Sequence, residues 1–369
     1  MDQQNRTTGG LKLAVFITPH GFGHAARVSA VLNAIHQQYA GVSFEIFTLV
    51  PEWFFEDTIE ADYRCHCVRT DVGLVQKTPQ EADLNATIEQ LSSFYPLDPD
   101  LISRLAGEIA AQGCQAVLCD VAPLGIAVAR QAGIPSILIE NFTWDWIYAG
   151  YLAEEPRFEP FNRYLQELFS RSDVHIQTIP YCGPQTAERV CHVVARKPRA
   201  TPQAVRQALG LSMDATMVLV TMGGIAQQYT FLQQLTAHPE IYFVVPAAAD
   251  SFVRQDNLIL LPHHTPLYHP DLVAASDTVV GKVGYSTLAE TYRAGIPFAY
   301  VPRSNFRESP PLTAFIRQNM PGFEIPDDEF MAGRWIERLA GLVHLPRIRR
   351  DEENGADEIA RWVLETVRP

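Results

Sequence analysis

The stretch DTVVGKVGYSTLAETYRAGIP, Asp277 to Pro297, reads as strand, glycine turn and helix, the repeating unit of a parallel α/β sheet. The apolar run DTVVG has strand character, TLAETYRA has helical spacing, and Gly295 and Pro297 end it. Such a junction leaves backbone N–H groups unpaired at the helix start, with the positive end of the helix dipole behind them. Gly284 lets a phosphate approach the backbone, and Ser286 and Thr287 add hydroxyl donors. Glu290 lies four residues beyond Ser286, on the same helix face and about 6 Å further along the axis. From there a carboxylate could accept both ribose hydroxyls while the helix start holds a diphosphate. Lys282 is either a helper for a phosphate or sugar group or a solvated lysine. A strand, turn and helix without any ligand is the plainer alternative for the whole motif.

A second junction points the same way. LKLAVFIT, Leu11 to Thr18, is a near-continuous apolar run of strand length, followed by PHGFGHAARVSAVLNAIHQQY. Gly21 and Gly23 make the turn, and Val28, Val31, Leu32 and Ile35 mark one side of a helix from Ala25 to Tyr39. The turn presents His20 and His24 at the carboxyl end of a strand, where open α/β sheets place their ligands. It is neither a dinucleotide fingerprint, since Ala26 stands where glycine would be required, nor a P-loop. Two satisfied histidines in a tight turn are the alternative, but two His and Arg27 within eight residues favour a site.

With 369 residues the chain fits two domains of ordinary size, and 47% hydrophobic content is that of a globular protein. A formal charge of −13 and the lack of a basic stripe argue against a nucleic-acid partner. The densest basic cluster, Arg196 to Arg199, reads as an interdomain linker. Cys65 and Cys67 flank His66, but no second ligand cluster stands at zinc spacing, so no metal is expected. Cysteines in apolar surroundings fit a reducing compartment. MDQQNRTTGG is polar and reads as a frayed start, not a signal peptide, and no apolar run approaches the ~20 residues of a membrane span. A soluble, cytoplasmic protein is expected.

Strand and helix patterns alternate through the first half, thin out over YCGPQTAERVCHVVARKPRATP, and restart at PQAVRQALGL and TMVLVTMGG. This predicts α/β architecture in two doubly wound halves, residues 1–190 and 191–350. The amphipathic helix in 351–369 is expected to pack back on one of them. Ligand turns of the two halves would then face each other across a cleft.

HGFGHAAR (His20–Arg27), CDVAP (Cys119–Pro123), NFTWDWIY (Asn141–Tyr148), YCGP (Tyr181–Pro184) and DLVAASDTVVGKVGYSTLAE (Asp271–Glu290) occur in that order. Together they resemble the glycosyltransferase-like amino-terminal part of plant L-arabinokinases and its free-standing bacterial relatives, from Leu11 to about Arg334. More distantly, HGFGH and the G-x-S-T-x-x-E block resemble the peptidoglycan GlcNAc transferase and other B-type glycosyltransferases. No sugar-kinase portion accompanies this stretch, so arabinose phosphorylation is not carried over.

The resemblance implies a GT-B fold of two Rossmann-like domains, with a nucleotide sugar, UDP-linked, in the carboxyl-terminal one, no cofactor or metal, and an unidentified acceptor. It implies that His24 is the base, a role that suits histidine as a residue type, whose unperturbed pKa is ~6.5. Asp120 is the candidate to orient it, or else a cap for the helix beginning at Pro123. Gly223 and Gly224 would face the diphosphate with Gly21, Gly23, Lys282, Gly284, Ser286 and Thr287, while the turn at His263 would read the base and Glu290 the ribose. His20, Arg27, Asn141, Trp144, Arg303 and Glu308 would contact the sugar. The aromatic segment from Phe142 to Tyr164 is either an acceptor wall or a helical core stripe. Asp98-Pro-Asp100 reads as a helix cap, not as a metal-binding D-x-D. A nucleotide-sugar hydrolase or epimerase, or a binding module without turnover, are the competing functions.

Overall fold

A computed structural model describes residues 10–77, 81–223, 229–303 and 305–367. The first lobe is a seven-stranded parallel sheet made of β1 (Leu11–Ile17), β2 (Val42–Thr48), β3 (Asp62–Cys67), β4 (Ala116–Asp120), β5 (Ser136–Glu140), β6 (Val174–Thr178) and β7 (Arg189–Cys191), ordered 3-2-1-4-5-6-7. The second is built from β8 (Thr216–Thr221), β9 (Ile241–Val245), β10 (Val253–Gln255), β11 (Leu258–Leu260), β12 (Thr278–Lys282), β13 (Phe298–Val301) and β14 (Gly322–Glu324), ordered 10-11-9-8-12-13-14. Its one antiparallel pairing is β10 with β11.

Helices cover both faces of each sheet, so central strands such as AVLCD (β4) are buried at every residue, as near-continuous apolar runs require. Local chemistry sets the helix ends. Asp98 caps Pro99–Ala111 through a 3.0 Å bond from the Asp100 N–H, as its position before proline predicts. Gly295, at φ 68°, closes Tyr285–Ala294, and a Cβ there would strike the Ile348 carbonyl at 2.1 Å. The closing helix Gly355–Val367 packs on Phe22–Gln38 of the first lobe, burying Ile359, Ala360 and Val363.

Strand order reverses between β1 and β4 in the first lobe and between β8 and β12 in the second. Neighbouring strands there send their connections to opposite faces, which opens a crevice at their carboxyl ends. The His24 turn and Asp120 stand at the first crevice, and Gly223 and the Gly284 junction at the second.

Candidate functional site

Two helix starts form the core of the site. Gly21, at φ 78°, turns the chain into helix Phe22–Gln38, and Gly284 leads into helix Tyr285–Ala294. A side chain at Gly23 would come within 3.6 Å of Ser286 Oγ, so the two glycine junctions face each other closely. Among the described residues, a Cβ on Gly284 would meet no atom within 4 Å, so glycine there keeps space open. The first N–H groups of the second helix, at Tyr285, Ser286 and Thr287, lack intrahelical acceptors.

Two cavities open beside these junctions and share Phe22, Gly223, Ser286 and Thr287. The one of about 550 Å³ is lined by His20, Gly21, Gly23, His24, Lys282, Gly284, Arg303 and Glu308. The other, of about 490 Å³, has His263, Tyr268 and His269 on the carboxyl-terminal side and Trp53 and Phe54 on the amino-terminal side. Gly224 lies outside the described residues.

In the first cavity His24 Nδ1 meets Asp120 Oδ1 at 2.8 Å. Arg27 grips the same carboxylate twice, Nε to Oδ2 and Nη2 to Oδ1, both at 2.7 Å. Burial alone would push the Asp120 acid up, but the Arg27 charge and the bonds from His24 and Arg27 hold it below its usual range. A charged Asp120 fixes the tautomer with the proton on Nδ1, leaving Nε2 as the basic nitrogen. Burial and the nearby Arg303, His24 and Lys282 drive the His20 imidazole well below its ordinary value, so it is neutral.

Arg27 and Asn141, expected to hold the sugar, do something else. They border the cavity but are 2% and 0% exposed. Arg27 Nη1 donates to Asn141 Oδ1 at 2.5 Å, and Asn141 Nδ2 donates across the lobes to Glu308 Oε1 at 3.0 Å. Trp144, also expected at the sugar, is fully buried and donates to Asp71 Oδ2 at 3.0 Å. Its ring edge backs His20 at 5.1 Å. The aromatic segment around it, with Tyr148 and Phe158 also buried, is mainly core stripe, and Phe142 is its one aromatic that lines the larger cavity among the described residues.

Glu290 departs from expectation as well. Its oxygens bond Arg196 Nε at 2.8 Å and His269 Nδ1 at 2.7 Å, and it is 4% exposed. His269, and not Glu290, lines the smaller cavity, and Glu290 holds its ring from behind. Helical spacing placed Glu290 correctly but could not reveal that Arg196, far away in sequence, already occupies it.

Cations dominate the floor between the lobes. Among the described residues Lys282 has no hydrogen-bond or ion-pair partner, and burial together with Arg303 brings its amine down to about 8. Arg303 pairs only loosely with Glu308, at 3.5 Å, and its guanidinium lies 3.5 Å from the Phe306 ring centre. An oxyanion entering here would find Lys282, a loosely paired Arg303 and a helix start.

No protein-family model matches the chain. Over 362 residues it is 28% identical to L-arabinokinase of Arabidopsis thaliana, an alignment covering 97% of this chain and 34% of that protein. It is 26% identical over 303 residues to an uncharacterized glycosyltransferase of Methanopyrus kandleri, covering 73% of this chain and 83% of the other. Among solved structures, the glycotransferase of kitacinnamycin superposes with a TM-score of 0.65 at 16% identity, covering 96% of this chain and 98% of that one. A UDP-glucosyltransferase from Polygonum tinctorium capable of glucosylating indoxyl gives 0.59 at 14% identity, covering 97% and 93%. The chain spans about a third of the length of L-arabinokinase. By fold it is a two-lobed GT-B protein, and in sequence it is related to L-arabinokinase.

Proposed function

We propose that this protein transfers a sugar from a nucleoside diphosphate, UDP-linked, to an acceptor hydroxyl. The observation that carries this reading is the meeting of the two cavities at Gly223, Ser286 and Thr287. A diphosphate over that junction would direct its nucleoside into the cavity beside His263 and its sugar into the cavity beside His24. The fold supports glycosyl transfer, and UDP-sugar enzymes among its structural neighbours favour uridine as the base.

In this scheme His24 Nε2 takes the proton of the acceptor hydroxyl as the new glycosidic bond forms. Asp120 keeps the ring oriented and stabilises the imidazolium that results, with Arg27 holding Asp120 in place. Lys282 and the amides of the second helix start stabilise the departing diphosphate, which takes the electron pair of the broken sugar–oxygen bond. Arg303 and Glu308 contact the sugar hydroxyls, and His269, held by Glu290, contacts the ribose.

The test is incubation with a panel of nucleotide sugars, with and without simple glycoside and phenolic acceptors. Nucleotide release that depends on acceptor is the expected result. Release in water alone would make the protein a hydrolase, and tight binding without turnover would make it a binding module.

A further inference from the structure

The amino-terminal wall of the smaller cavity is aromatic, although a nucleoside site in the carboxyl-terminal lobe alone would not require this. Trp53, on the short helix Glu52–Glu56, is only half-buried and lines that cavity with Phe22 and Phe54. Its ring neighbours stand at 73° (Phe22), 62° (Phe54), 84° (His263) and 32° (His264). Among the described residues, therefore, no ring lies parallel on the indole. The wall is also anchored. Arg199, from the segment joining the lobes, donates to the carbonyls of Asp57 at 2.6 Å and Thr58 at 2.7 Å, just beyond that helix. An indole that lines a cavity of about 490 Å³, its nearest ring neighbour His264 tilted by 32° at 4.9 Å, suits a flat heteroaromatic ring.

We propose that Trp53 is the stacking surface for the nucleobase, so that the donor is clamped between both lobes and not held by the carboxyl-terminal lobe alone. This rests on the donor reading above and adds to it a residue from the opposite lobe. The base would enter between Trp53 and the His263 turn, while the diphosphate stays over Ser286 and Thr287. Binding would then tie the lobes together, because each supplies one side of the same slot.

The experiment is calorimetry of the full chain with UDP, dTDP, ADP and GDP, and with inorganic pyrophosphate as a probe that lacks a base. At least one nucleotide is expected to bind more tightly than pyrophosphate. Trp53→Leu should weaken that nucleotide by about ten-fold or more while leaving pyrophosphate unchanged, and Trp53→Phe should recover most of the loss. The indole fluorescence lost in Trp53→Leu should account for the quenching seen on nucleotide binding. Equal nucleotide affinity in the leucine variant would overturn the proposal, as would equal losses for nucleotide and pyrophosphate. If the unaltered chain binds pyrophosphate as tightly as every nucleotide, the base slot is refuted and the diphosphate site survives. Binding of neither would refute both.

Discussion

Asn141 Nδ2 donates to Glu308 Oε1 at 3.0 Å, joining the end of β5 to the other lobe, while its Oδ1 accepts from Arg27. A cation on one side and a carboxylate on the other leave the amide a single orientation. Asp at this position would keep the acceptor for Arg27 but set two carboxylates together in a buried contact. Asn141→Asp is expected to cost about 3 kcal/mol of unfolding free energy and to widen the spacing of the lobes. Adding Glu308→Gln should restore both, because the glutamine amide can donate where the asparagine amide did. Urea unfolding and small-angle scattering read the two effects, and an unchanged Asn141→Asp protein would show that the contact carries no weight.

His24 and Asp120 should separate chemistry from binding. Neither lines the cavity proposed for the nucleoside, so His24→Ala and Asp120→Asn should leave UDP affinity within about two-fold. Turnover should fall about 10²- to 10⁴-fold in each, the second because an amide no longer enforces the tautomer. Initial rates and calorimetry on the same preparations test this, and near-normal turnover in His24→Ala would remove the base assignment.

Lys282 gives the site a pH signature. Burial and Arg303 hold its amine at about 8, and a bound diphosphate favours the charged form. Binding therefore takes up a proton once the free amine has lost its own. Affinity for UDP should be flat from pH 7 to about 8 and then fall by up to about ten-fold per pH unit. Neutral His20 does not titrate in a way that mimics this. Lys282→Met should bind more weakly and without the alkaline slope, so a slope that persists in it would assign the proton elsewhere.

How much of this was written in the sequence depends on range. Strand–turn–helix junctions are local, so β1, β4, β12 and the helices that follow them are legible from apolar runs and glycines. The edge strands β3 and β14 carry mixed residues and hide, because half-exposed positions impose no pattern. Within the site, His24 and Asp120 could be paired by reasoning that both end central strands of one sheet. The roles of Arg27, Asn141 and Trp144 could not, because no strand-end pattern links them to their partners Asp120, Glu308 and Asp71. Residue type announced polar or aromatic chemistry near a ligand, and only the packing decides that these three serve the wall instead. Trp53 sits in the run PEWFFED, where three consecutive aromatics give no sign that Trp53 and Phe54 face a cavity.

Asp71 is the last such hidden group, and it makes stability depend on pH. It is buried, accepting from Thr18 Oγ1 at 2.9 Å and Trp144 Nε1 at 3.0 Å. Burial outweighs those two bonds and pushes its acid up from 3.8 to about 7. The folded chain therefore keeps a proton that the unfolded chain releases between those two values. Stability contributed by this group is full below about pH 4, is lost as pH rises, and is gone above about 7. Asp71→Asn cannot ionise, and the Thr18 hydroxyl can turn to accept from its amide while Trp144 keeps an oxygen. The melting temperature of the variant relative to the parent should therefore rise by a few degrees between pH 5 and pH 8. A difference between the two that does not change with pH would mean that Asp71 is ionised throughout and that its two donors, Thr18 and Trp144, already compensate the charge.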